Sequence, residues 1–162
     1  MTTHARDARL IALEDLAATE RLAQRLARHA RPGDVFGLRG ELGAGKTTFA
    51  RGFITSIFGP TEVPSPTFTL VQTYEDDHAV IWHFDLYRLK APEEALELGL
   101  DEARRHAVLL IEWPERLGAL MPADWLELVL EPGVDEHARR AHLIAHGPRA
   151  QALLAAMDDP TP

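Results

Sequence analysis

The 162-residue sequence contains no cysteine and no asparagine, and only two of its seventeen basic residues, Lys46 and Lys90, are lysines. Without cysteine, disulfides, thiol nucleophiles and thiolate metal sites are excluded. Without asparagine the chain cannot write the Asn-Lys-x-Asp sequence with which regulatory GTPases read guanine. Adenine is therefore the expected base of any purine nucleotide it holds. No apolar run approaches the length of a bilayer span. The first ten residues, with Arg6, Asp7 and Arg9, lack the apolar stretch of a secretory leader, so a cytoplasmic protein is expected. Positive charge is scarce where nucleic acid would need it. Residues 1–81 carry 9 basic and 10 acidic side chains, residues 82–162 carry 8 and 15, and the second half thus holds −7 of the net −8. A broad phosphate-backbone interface needs clustered Lys and Arg, so any role in RNA biology is expected to run through other proteins. The eight histidines show no metal-ligand spacing.

What the chain does contain is Gly40-Glu41-Leu42-Gly43-Ala44-Gly45-Lys46-Thr47, a complete G-x-x-x-x-G-K-[ST] phosphate-binding loop. Such a loop wraps backbone N–H groups around a β-phosphate and needs glycine where the chain turns through positive φ. The context fits. The apolar stretch Asp34–Leu38 precedes the loop as a strand, and Thr47 to Phe58 follows as a helix, with Phe49, Phe53, Ile54 and Ile57 near helical spacing. The helix would aim its free N–H groups at the phosphates. A chain that otherwise uses arginine keeps lysine at position 46, where a compact ammonium must reach the β- and γ-phosphates. Residues Glu41 to Thr48 are therefore the expected nucleotide contacts, with ATP or ADP and Mg²⁺ as ligands.

The order of elements predicts one three-layer α/β/α domain of the phosphate-loop NTPase kind, with a mixed, partly antiparallel sheet, over residues 1–157. A first helix spans about Glu14–Arg31, ended by Pro32-Gly33. Phe68–Tyr74 and Ala79–Leu86 read as a hairpin around the acidic turn 75–78. Pro92 opens a helix through Leu98, another ends near His106, and Ala107–Ile111 is a strand buried on both faces. Trp125–Leu130 and Ala141–Ala145 complete the strands, Ala150–Met157 is a last helix, and 158–162 reads as a disordered tail.

Magnesium needs partners. Thr47 would supply a hydroxyl and a strand-end carboxylate would complete the site. Glu112 follows the apolar run 107–111 in the layout of a Walker B strand, and Asp85 ends the similar run 80–84. Either could touch the metal, and spacing leaves open which. Thr67, in Ser65-Pro66-Thr67, stands where switch-type NTPases place a hydroxyl near the γ-phosphate, but equally suits the β-branched start of a strand. His83 shares a strand face with Asp85 by two-residue spacing and could orient it. Trp113 could face the nucleotide, a partner or the core.

Taken together, Gly40–Phe49, Ser65–Val71, His83–Leu89, Leu98–Glu102 and Ile111–Glu115 resemble the TsaE (YjeE) family, the small bacterial ATPases of tRNA threonylcarbamoyladenosine synthesis. The resemblance covers about residues 14–131. It implies Lys46 and Thr47 as phosphate and Mg²⁺ ligands, Glu112 as the Walker B acid, Asp85 as a second metal-site or catalytic acid, and Thr67 as a switch residue. It further implies slow ATP hydrolysis and docking on a heterodimer of the threonylcarbamoyl transferase and its non-catalytic paralogue, with tRNA engaged only indirectly. Beyond residue 131 no functional residue is expected. Two other readings compete. A small-molecule kinase would need lid arginines, for which Arg104-Arg105 is the candidate pair, and a non-hydrolysing switch would need only the nucleotide.

Overall fold

The structure, a computed structural model, describes residues 7–64, 66 and 69–158. Among these the chain forms strands β1 (Ala8–Leu13), β2 (Val35–Arg39), β3 (Val71–Glu75), β4 (Val80–Asp85), β5 (Val108–Glu112), β6 (Trp125–Pro132) and β7 (Arg139–His146). The helices are α1 (Leu16–Ala27), α2 (Lys46–Phe58), α3 (Glu94–Glu97), α4 (Leu100–His106) and α5 (Pro148–Met157), with a 3-10 helix at Pro114–Leu120. One mixed sheet runs β1-β7-β6-β2-β5-β4-β3. Its centre is parallel, β6-β2-β5-β4, and antiparallel pairs close both sides, β4 with β3 and β6 with β7 and β1.

Strand alternation sorts the core into two layers. Val108 and Leu110 of β5 join Phe36 and Leu38 of β2 in a cluster with α1, α2 and α5, while Leu109 and Ile111 join Val35 in a cluster with α3, α4 and Leu117 of the 3-10 helix. This is the predicted α/β/α arrangement, and the fully buried β5 matches its unbroken apolar run. Phe36 stands edge-on to Phe53 with centroids 5.0 Å apart, and Phe49 lies 6.2 Å from Phe53. Such pairs contribute about 0.5–1.5 kcal/mol each beyond the burial of their area. They fasten the body of α2 against the first half of β2, the two elements that flank the loop.

Several boundaries differ from the sequence pattern. The first helix is shorter than Glu14–Arg31. Asp15 is its N-cap, accepting the Ala18 N–H at 2.8 Å, and the residues just before it, Ala8–Leu13, form an edge strand on β7. Ile11 is the one β-branched residue of this strand, which has no aromatic, so little local marks β1; its partner does. The helix expected from Pro92 is reduced to α3, whose Glu94 carboxylate accepts the N–H groups of Lys90 and Ala91 and holds the entry turn. The hairpin is present, but β3 starts at Val71 because Leu70 adopts φ 66° and breaks the extended run. Its turn is closed by Asp76, which accepts from His78 and Ala79 N–H. Asp158, the first residue of the expected tail, ion-pairs with Arg9 at 2.6 Å; residues 159–162 lie outside the described residues. Among the described residues no helix is long and apolar enough to cross a membrane.

Candidate active site

The phosphate-binding sequence occupies the turn from β2 into α2, at the C-terminal edge of the parallel strands, where β2 lies between β5 and β6 and the chain crosses to opposite faces. Gly40 has φ 151°, and a Cβ there would lie 2.6 Å from the Leu130 carbonyl oxygen and 2.9 Å from Ala44 Cβ. Gly45, at φ 103°, turns the chain into the first residue of α2. Side chains at either position would open the loop. The first N–H groups of α2 then face outward with no intrahelical acceptor, as any helix start leaves them.

Lys46 lies in this curve, 5% exposed. Its Nζ donates to the carbonyls of Gly40 (2.5 Å) and Glu41 (2.9 Å) and stands 4.4 Å from the centre of the Trp113 ring. Burial lowers the pKa of its ammonium, and the charges of Glu112, Asp85, Glu115 and Glu41 work in the opposite sense.

The sheet register delivers both predicted acids to the same place. Glu112 pairs with Leu38 of β2 on one side and with Asp85 of β4 on the other. Both carboxyls are buried, and the Thr47 hydroxyl lies 3.5 Å from Glu112 Oε2. Asp85 Oδ1 accepts the Tyr87 N–H at 3.1 Å. Burial nonetheless raises the Asp85 pKa, Glu112 adds to the rise, and the Tyr87 N–H, His83 and Lys46 oppose it. His83 does not orient Asp85. Its Nε2 stands 2.7 Å from Glu112 Oε2, on the neighbouring strand, with His83 fully and Glu112 almost fully enclosed. Residues two apart on one strand are separated by about 6.5–7 Å, so a side chain on β4 meets the adjacent strand before it meets its own i+2 neighbour.

A hydroxyl and two carboxylates are hard oxygen donors suited to Mg²⁺, which is held by one or two carboxylates together with water and substrate phosphates. The described residues contain no cluster of three or more His, Cys, Asp or Glu that would cage a metal unaided. Thr67 lies outside the described residues, as do Ser65 and Phe68. The end of their segment is tied to the site, since the Leu70 carbonyl accepts the Asp85 N–H at 2.9 Å. Leu70 and Trp113 are the non-glycine residues with left-handed backbone among those described, and each adjoins one of the two acids. Such strain gathers at functional sites. Trp113 presents its ring to Lys46 and to Tyr87, whose ring centre is 4.8 Å away.

These residues line a cleft of about 270 Å³ that contains Gly43, Gly45, Lys46, Thr47, Thr48, Asp85 and Glu112. Leu42 at the loop tip is 71% exposed. The cleft also includes Tyr87, and residues that sequence reasoning missed: Leu16 and Thr19 of α1, and Arg139 at the start of β7. Arg139 donates from Nε to the Ala44 carbonyl and from a terminal nitrogen to that of Gly43, both at 2.9 Å, and to Glu136 and Ala138 as well. No local pattern marks an arginine ninety-five residues downstream as part of the loop; only the β6–β7 pairing brings it there. Arg104 and Arg105, by contrast, line a groove with Gly33 and Asp124, at the opposite edge of the sheet. They cannot close over this cleft.

A family model described as "Threonylcarbamoyl adenosine biosynthesis protein TsaE" matches residues 13–141. The "tRNA threonylcarbamoyladenosine biosynthesis protein TsaE" of Rickettsia felis is 40% identical over 145 residues, covering 89% of this chain and 84% of that protein. The protein of the same description from Bacillus subtilis is 38% identical over 136 residues, 83% and 84% of the two chains. Among solved structures, that of Bacillus subtilis YdiB superposes with a TM-score of 0.80 at 32% identity, over 93% of this chain and 94% of that one.

Proposed function

The chain belongs to the family of the threonylcarbamoyl adenosine biosynthesis protein TsaE, and from that premise we propose that it is a cytoplasmic Mg²⁺-dependent ATPase serving threonylcarbamoyladenosine modification of tRNA. The observation that carries the reading is the convergence of Lys46 and Thr47, at the start of α2, on the strand-end carboxylates Asp85 and Glu112. The loop amides and Lys46 would hold the phosphates. Thr47 with Glu112 or Asp85 would hold Mg²⁺, which would supply positive charge to offset that of the phosphates. The second acid, or Thr67, would orient the attacking water. Leu16, Thr19, Thr48 and the Arg139 stem give the cleft room and apolar surface for the base of the nucleotide.

Phosphoryl transfer to water is favoured over transfer to a small acceptor, because Arg104-Arg105 sits at the far edge of the sheet and Arg139, of the second arginine pair, is tied to loop carbonyls. The guanidinium of Arg139 is bound to loop carbonyls rather than presented to the cleft, so it is not available as an arginine finger. Turnover by the chain alone is therefore slow. Acceleration comes on docking to the transferase heterodimer, a partner that suits an acidic chain lacking a basic stripe. ATP turnover by the purified chain, alone and with that heterodimer, tests the reading. A low rate raised by the heterodimer supports it; a fast rate alone, or none in either case, contradicts it.

A further inference from the structure

Glu112 is a carboxylate with very little access to solvent, and its orientation has to be set by protein groups. Two reach it. The Thr47 hydroxyl is 3.5 Å away, a long contact, whereas His83 Nε2 is at 2.7 Å. Both approach the same oxygen, Oε2. His83 is fully buried, on the sheet face that carries Ile81 and Leu110 into the core beneath α2. It therefore lies on the core side of Glu112, while Glu112 itself lines the cleft and His83 does not. A carboxylate oxygen requires a donor, so the hydrogen of the imidazole is on Nε2. Among the described residues Nδ1 meets no hydrogen-bond partner, so the bond to Glu112 is the one that fixes the ring.

We propose that His83 is a positioning residue for the Walker B acid: it binds one oxygen of Glu112 from below and so directs the carboxylate at the metal and phosphate side of the cleft. The inference rests on the ATPase reading above. The two acids are then held by different devices, Asp85 by a backbone N–H and Glu112 by a side chain. Groups that orient metal-site carboxylates from behind typically change metal affinity or activity by about 10–100-fold when removed. His83 touches neither nucleotide nor metal, so its removal should leave nucleotide affinity in the absence of metal unchanged.

The test compares wild type with H83L, which fills the volume without a donor, and H83Q, whose amide can donate from about the position of Nε2. Affinity for a fluorescent ADP is measured with EDTA and with Mg²⁺, alongside the melting temperature. All three proteins should bind equally in EDTA. Wild type and H83Q should tighten together on adding Mg²⁺, while H83L loses about tenfold or more of that gain. A folded H83L that keeps the whole gain overturns the inference and leaves the ATPase reading intact. So does equal loss in H83L and H83Q, or a lowered melting temperature with the gain unchanged, which would make His83 merely structural. A wild type that binds no nucleotide, or binds it without regard to Mg²⁺, removes the ATPase reading and this inference with it.

Discussion

Arg139 Nε donates to the Ala44 carbonyl at 2.9 Å, joining the first residue of β7 to the phosphate loop. With a further bond to Gly43, the guanidinium engages two consecutive loop carbonyls. The loop is thus shaped as much by a distant arginine as by its own glycines.

Arg139→Ala should therefore weaken ADP binding about tenfold, from the loss of charge-assisted hydrogen bonds worth about 1.5–3 kcal/mol. Arg139→Lys should recover only part, because an ammonium cannot repeat the fork that spans both carbonyls. Calorimetric titration checks both. Affinities equal to wild type would show that the loop holds its shape unaided.

Gly40→Ala should be among the more damaging single methyl additions in the chain. The new Cβ would meet the Leu130 carbonyl at 2.6 Å, a backbone atom that cannot move aside without shifting β6. Destabilisation of about 1–3 kcal/mol is expected, read as a lower urea midpoint, and nucleotide affinity should fall with it. Gly43→Ala meets no atom within 4 Å and should cost less, although its φ of 81° is also unfavourable for a side chain.

Glu127 predicts the acid limb of stability. Burial alone would raise its carboxyl pKa, but hydrogen bonds from Arg39 (2.7 Å) and His146 (2.7 Å) outweigh that and hold it below the usual glutamate range. A carboxylate with a depressed folded-state pKa stabilises the fold fully above its unfolded value, about 4.3. That contribution is lost as pH falls through the folded value. Glu127→Gln should thus lower stability near neutral pH and flatten the loss between about pH 4.3 and lower values. Unfolding by urea across pH 3–7 checks the sign; a variant as acid-sensitive as wild type would exclude Glu127 as a source.

Legibility of this chain from sequence followed the range of the interactions. The loop, its strand and helix, and the two strand-end acids could be read because each depends on neighbours within a few residues: apolar alternation, glycine spacing, an acid after an apolar run. The partner of His83 could not, since period-two spacing puts it with Asp85 and only the β4–β5 register shows Glu112 to be nearer. Arg139 and β1 were hidden for the same reason, being defined by the strands they pair with rather than by their own composition. Trp113 was visible as a residue, but its left-handed backbone and its place over the Lys46 ammonium follow from the turn into the 3-10 helix.

The central claim is that nucleotide chemistry at Lys46 serves tRNA modification. The most direct test is to deplete the protein in its host and measure threonylcarbamoyladenosine in digested tRNA by mass spectrometry, complementing with wild type or Lys46→Ala. The account predicts that the nucleoside falls, that wild type restores it and that Lys46→Ala does not. An unchanged level on depletion, or full restoration by Lys46→Ala, would contradict it.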